Sequence, residues 1–328
     1  AMAEEPVFEL IEQTVLGEGP RYTPGQVYGR TGTAEDVARQ LWRAMGFPQI
    51  PPDEAQLTDR DVEALAEVQA LLDAGVDLGL AIRHARVMSQ ALATVAAAQV
   101  ETLETGSGQD VGAVMGTFAG ETETVLGRLD RLLGYLYRRH LAAALERSVL
   151  VTDDGGPRTT LVVGFADLAG FTATSRHISA EEVADLVELF ASSAADVVTE
   201  CGGRVIKLVG DEVLFTVDQP AAAAEAALEV TEAAERLEDR LPVHAGLALG
   251  PVHQHLGDVF GATVNRASRL TDAARPGTVL VDEAVRERLD DDARFSLRRV
   301  HVRPLKGLGV VRPYALRRGK VTDATPAK

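Results

Sequence analysis

The order of elements in the second half of the chain constrains its fold more than any other feature. From Thr160 onward, short β-rich apolar runs alternate with two stretches of helical period. Thr160–Phe165 reads as a strand, Ala180–Cys201 as a helix, and Arg204–Val217 as two strands broken at Gly210-Asp211. Pro220–Leu241 is again helical and Val243–Leu249 is a strand. The order β-α-β-β-α-β is that of a ferredoxin-like sheet, so the fold class is α+β. Thr278–Val281, Phe295–Val302 and Val311–Leu316 extend it as further strand candidates.

The first 150 residues follow a different period. Thr33-Ala-Glu-Asp36 and Thr58-Asp-Arg-Asp61 place a capping residue ahead of early acids, and each precedes apolar positions at helical spacing, such as Val37, Leu41 and Trp42 or Val62, Leu65 and Val68. Pro48, Pro51 and Pro52 separate the two helices. A third is predicted from about Leu78 to Leu103, ended by the turn Gly106-Ser-Gly108. A leucine-striped helix then connects residues 121 to 150, and Thr152-Asp-Asp-Gly-Gly-Pro157 marks a boundary. The expected organisation is an all-α domain over 1–150, an α+β domain over 151–318 and a disordered tail over 319–328.

Composition excludes several classes. The 328 residues suffice for two domains with their own cores. A single cysteine, Cys201, makes no internal bridge, and no secretory leader opens the sequence, so a reducing cytoplasm is the expected location. No apolar run approaches the roughly 20 residues of a membrane helix. A net charge of −16 argues against broad nucleic-acid binding. Of 33 basic residues only four are lysine (Lys207, Lys306, Lys320, Lys328), and Asn265 is the single asparagine. Against that background a lysine or an asparagine points to a task that arginine, aspartate or serine performs poorly.

Asp167 follows an apolar strand, with Gly170 allowing a close turn, and Asp211 stands at the tip of a hairpin. In a ferredoxin-like sheet the first strand lies beside the third, so the two carboxylates converge. Such a pair suits magnesium or manganese held together with substrate phosphates. Taken singly, an aspartate in a turn is equally a matter of turn chemistry.

Phe165-Ala-Asp-Leu-Ala-Gly-Phe-Thr172, Lys207-Leu-Val-Gly-Asp-Glu212 and Asp258-Val-Phe-Gly-Ala-Thr-Val-Asn-Arg-Ala-Ser-Arg269 together resemble the signature of class III adenylyl cyclases. The resemblance covers roughly residues 158–318 and implies formation of cyclic AMP and pyrophosphate from ATP. It makes Asp167, Asp211 and the Leu168 carbonyl the ligands of two Mg²⁺ or Mn²⁺ ions. Lys207 and Asp258 become the adenine-selecting pair, with Phe171 and Thr172 also on the substrate side. Asn265 orients the ribose, Arg269 stabilises the transition state and Lys306 contacts the triphosphate. Where many relatives carry a second phosphate-binding arginine, this chain has Pro251.

The same resemblance implies a homodimer with two composite sites, in which one protomer supplies metal carboxylates and its partner supplies base-selecting and transition-state groups. Residues 1–150 resemble the regulatory domain of soluble, pH-responsive mycobacterial adenylyl cyclases, which allows control by pH through His84 or His140, or by a fatty-acid-like ligand. Two rivals remain open. One is a guanylyl cyclase or a non-catalytic homologue, disfavoured by complete metal, base and transition-state positions. The other is a transcription regulator using Thr33–Phe47 and Asp59–Gly75 as a helix-turn-helix, disfavoured by Glu35, Asp36, Asp59, Asp61 and Glu63 on the would-be phosphate-facing surface.

Overall fold

The computed structural model describes residues 13–107, 122–150, 158–235, 241–301 and 312–319. The chain divides into two compact units, Ala1–Ser148 and Val149–Lys328. Among the described residues no helix is long and apolar enough to cross a membrane.

The first unit is built from α1 (Pro24–Thr31), α2 (Glu35–Ala44), α3 (Asp59–Asp73), α4 (Leu78–Ser107) and most of α5 (Thr122–Leu150). The Thr58 box forms as predicted, with the Thr58 backbone N–H donating to Asp61 Oδ2 at 2.7 Å. At the other predicted start the cap falls one residue later, on Ala34. α4 runs through Gly106 instead of ending there, because a lone glycine costs a helix only about 1 kcal/mol. Val27, Ala38, Leu41, Ala44 and Leu57 form a small buried core. Leu132, Tyr135, Leu136, Tyr137, Leu141 and Leu145 of α5 are exposed.

The second unit is a mixed sheet with helices on both faces. Its strands are β1 (Arg158–Leu168), β2 (Arg204–Val209), β3 (Glu212–Val217), β4 (Val243–His255), β5 (Asp258–Phe260), β6 (Val279–Val281), β7 (Phe295–Arg299) and β8 (Tyr314–Arg318). They lie in the order β2-β3-β1-β4-β6-β8-β7, with β5 paired to β4. The first four strands are in ferredoxin-like order and antiparallel. The helices are α6 (Phe171–Thr174), α7 (Ala180–Glu200), α8 (Pro220–Glu235), α9 (Ala262–Ala273) and α10 (Glu283–Leu289). β1 and β4 outrun their predicted ends, and β5 and α10 had no counterpart in the sequence reading. Residues 236–240 of the expected second helix, Lys306 and most of the expected disordered tail lie outside the described residues.

Alternation along β1 sorts its side chains. Val162, Ala166 and Leu168 join Phe190, Ala194, Val198, Phe215 and Ala227 in a core beneath α7 and α8. Leu161, Val163 and Phe165 join Leu214, Ala248, Ala267 and Leu270 in a second core beneath α9. Burying each large side chain contributes about 1.5–3 kcal/mol. Position 167 falls on the α9 face by the same alternation.

Gly246 sets the distance between α9 and β4. A Cβ there would lie 2.4 Å from the Thr271 backbone nitrogen and 2.6 Å from the Ala267 carbonyl oxygen. Gly246→Ala is therefore expected to displace α9 and to cost about 1–3 kcal/mol, as overpacked cores do. Urea unfolding of the variant measures the loss.

Candidate active site

At its C-terminal end β1 delivers Asp167 between two neighbours in register, Glu212 on β3 and His244 on β4. Directly opposed residues share a face, so the row Glu212, Asp167, His244 lies on the α9 side of the sheet. Asp211 occupies the tip of the β2–β3 hairpin, and its carbonyl oxygen accepts from the Leu168 N–H at 3.2 Å. That bond holds the hairpin tip against the end of β1.

The electrostatics of this corner are strained by like charge. Burial, and then the neighbouring Asp167 charge, push the Asp211 carboxyl above its ordinary range. Glu212 is pushed up to about 7, first by burial and then by Asp167, Asp272 and Asp211. His244 is raised, chiefly by its hydrogen bond with Asp167 and against the effect of burial. Among the described residues no three His, Cys, Asp or Glu side chains could hold a metal ion by themselves. Magnesium is typically held by one or two carboxylates with substrate phosphates and water completing the shell. Two neighbouring carboxylates, with the His244 imidazole bonded to one of them, fit such an ion.

A second cluster forms where β5 approaches β2. A register shift between Val205 and Lys207 sets Lys207 opposite Leu214, on the Asp167 face. Its Nζ donates to Asp258 Oδ2 at 2.7 Å. Asp258 is held below the usual carboxylate range: burial opposes this, but the Lys207 bond and the Val259 N–H outweigh it. The two side chains stay 45% and 27% exposed, so both remain open to a ligand.

α9 begins after Gly261 and turns Thr263, Ala267, Leu270 and Thr271 onto the sheet. Asn265 and Arg269 lie on its exposed side. Arg269 pairs with Asp272 at 3.1 Å. Among the described residues no hydrogen bond or ion pair joins Asn265 or Arg269 to Asp167 or Asp211. Arg266 points elsewhere, its Nε 3.0 Å from Asp282 Oδ2 in an ion pair without hydrogen-bond alignment.

The remaining candidates divide. Leu168 is buried in the core, Phe171 packs partly against that core, and Thr172 is exposed. Pro251 is exposed on β4 opposite Thr160. His84 and His140 are exposed. Sequence reasoning passed over Glu212, His244 and Asp272. The register of β1 with β3 and β4 is the signal that finds the first two, and it is available only once strand order is known.

Comparison with known proteins gives the family of the chain. A family described as adenylate and guanylate cyclase catalytic domain matches residues 157–318, and one described as adenylate cyclase regulatory domain matches residues 1–146. The chain is 38% identical over 347 residues to an adenylate cyclase of Streptomyces coelicolor, covering 96% of this chain and 91% of that protein. It is 36% identical over 367 residues to one of Streptomyces griseus, covering 97% and 90%. A pH-sensitive adenylate cyclase of Mycobacterium tuberculosis is 29% identical over 334 residues, covering 97% and 83%. Fold and domain matches define a class III nucleotidyl cyclase. Within that class the chain belongs to the adenylate cyclases that join this regulatory domain to this catalytic domain.

A stability prediction follows from the acidic corner. Glu212 binds its proton more tightly folded than unfolded, so folding is favoured below its unfolded pKa and loses that contribution as pH rises to about 7. The raised His244 acts in the same direction. The metal-free protein should therefore be less stable at pH 7.5 than at pH 5 in chelator-containing urea titrations, and Glu212→Gln should reduce the difference.

Proposed function

We propose that the chain converts ATP to 3′,5′-cyclic AMP and pyrophosphate at sites shared between two copies of itself. The observation that carries this reading is a purine-complementary pair, Lys207 and Asp258 at 2.7 Å, on the sheet face where Asp167 meets Asp211. Adenine offers an acceptor at N1 and an amine at C6, matching a lysine donor and an aspartate acceptor. Guanine reverses that order, which disfavours the guanylyl cyclase reading.

In this reading the pair opens from its mutual contact onto the base. Asp167, Asp211 and the Leu168 carbonyl would hold two divalent ions, Mg²⁺ or Mn²⁺. Bound there, such ions supply Lewis-acid charge to the ribose 3′-oxygen and the triphosphate. Asn265 orients the ribose, Arg269 faces the α-phosphate, Lys306 takes the triphosphate, and Phe171 and Thr172 flank the substrate. As the 3′-hydroxyl gives its proton to solvent and its oxygen bonds to the α-phosphorus, the bond to pyrophosphate breaks. Arg269 stabilises the charge that then builds on the phosphoryl oxygens.

The outward placement of Asn265 and Arg269 supports a composite site. Neither touches the carboxylates of its own chain, so a second chain, related by a two-fold axis, would present them to Asp167 and Asp211. Residues 1–150 would regulate, because a displacement of about 1 Å between half-sites costs on the order of 10²-fold in rate. The name of the mycobacterial relative favours a response to pH. A fatty-acid-like ligand finds support in a cavity of about 310 Å³ lined by Val27, Leu41, Trp42, Met45, Leu65 and Val68.

Incubation with ATP or GTP and Mg²⁺ or Mn²⁺, followed by product identification, tests the reaction. Cyclic AMP from ATP is expected, and cyclic GMP as the main product would reverse the assignment. Asp167→Ala and Asp211→Ala should each reduce turnover to background in folded protein. Mixing Asp167→Ala chains with Arg269→Ala chains should restore turnover through one repaired site per heterodimer, and verified heterodimers without activity would contradict the shared site.

A further inference from the structure

His244 binds Asp167 through a geometry that no role assigned so far explains. Its Nε2 lies 3.1 Å from Asp167 Oδ2 and its Nδ1 3.1 Å from the Ala274 carbonyl oxygen. Ala274 caps the C-terminus of α9. A carbonyl oxygen only accepts, so Nδ1 carries a proton, and Nε2 faces a carboxylate oxygen that also accepts. The side chain is 15% exposed, which leaves the ring little room to swing. Both nitrogens are thus committed, one to a carboxylate of the acidic corner and one to the end of the helix bearing Asn265 and Arg269. Asp167 is held by His244 at a single oxygen, Oδ2, with the Asp211 carboxyl as its other close neighbour.

We propose that His244 is a positioning residue, which orients Asp167 so that this carboxylate and Asp211 together receive a divalent cation and which ties that orientation to the end of α9. The inference rests on the metal reading of Asp167 and Asp211 given above. An imidazole in this place acts as an outer-shell partner: it touches no substrate, but it removes the rotational freedom that a metal ligand would otherwise lose on binding. Gly246, two residues further along β4, supports the arrangement, because the close approach of α9 that it permits also places Ala274 within reach of His244.

The two ring contacts separate by substitution. His244→Asn keeps a donor near the Nδ1 position but is too short to reach Asp167, whereas His244→Gln carries its donor near the Nε2 position. Mn²⁺ is titrated into the full-length protein in the presence of 3′-deoxy-ATP, which lacks the attacking hydroxyl, and free Mn²⁺ is followed by its electron paramagnetic resonance signal. Unfolding midpoints confirm that each variant is folded. His244→Asn is expected to weaken Mn²⁺ binding about tenfold or more, with His244→Gln close to the unsubstituted protein. Asp167→Asn, measured alongside, should also weaken it. Equal affinities for the Asn and Gln variants, whether both high or both low, would overturn the positioning role while the loss in Asp167→Asn upheld the metal reading. Unchanged binding in Asp167→Asn would remove the metal reading itself and the His244 proposal with it.

Discussion

Carboxylates crowded at the end of a buried strand repel one another, and the catalytic unit is arranged around that repulsion. Asp167, Asp211 and Glu212 converge where β1 meets the β2–β3 hairpin, with His244, whose pKa the Asp167 bond raises, as the facing partner. Desolvation and like charge favour protonated forms there, so the metal-free corner gives up folding energy near neutral pH. The two apolar cores above and below the sheet, centred on Phe215 and Leu270, provide the stability that makes such a corner tolerable. A divalent cation would relieve the repulsion directly, and this ties the local instability of the corner to the chemistry proposed for it.

The two halves of the proposed site are separated by the geometry of one helix. α9 must bury Thr263, Ala267 and Leu270 against the sheet, and with 3.6 residues per turn this leaves Asn265 and Arg269 facing outward. A helix cannot both pack on its own sheet with that stripe and turn the opposite stripe toward carboxylates on the same sheet. In the proposed composite site, the need for a second chain would therefore follow from amphipathic packing. The Arg269–Asp272 pair at 3.1 Å shows what the arginine does meanwhile: it is held by a neighbour one turn away, at an exposed position where such pairs are weak and readily exchanged.

Much of this was legible in the sequence, because strand alternation and turn chemistry are local. The β-α-β-β-α-β order, the hairpin broken at Gly210-Asp211 and the Thr58 cap all follow from residues within a few positions of one another. What escaped were features that depend on partners far along the chain. β1 and β4 run longer than their apolar cores because Arg158–Leu168 pairs residue by residue with residues 243–253. β5 exists because the β4 hairpin returns at Leu256-Gly257, where Leu256 takes a positive φ of 51°. His244 reads as an ordinary polar residue until the β1–β4 register puts it opposite Asp167, and Glu212 reads as a neighbour of Asp211 until the β1–β3 register does the same.

The choice of lysine at position 207 has a physical reason in an arginine-rich chain. Of 33 basic residues, four are lysine and so 33 − 4 = 29 are arginine. An arginine here would present a planar fork to Asp258 and could bind it through two parallel bonds. Such a pair would be stronger and more rigid, and a purine would have to break two bonds to insert. The lysine ammonium is a point donor on a flexible stem, joined to Asp258 by the single 2.7 Å bond. It can release the aspartate and turn to one ring nitrogen, while the freed carboxylate accepts from the exocyclic amine. A contact that is closed without ligand and cheap to open keeps both polar groups satisfied in the free protein, and in the proposed reading it would let the same two residues distinguish one purine edge from another.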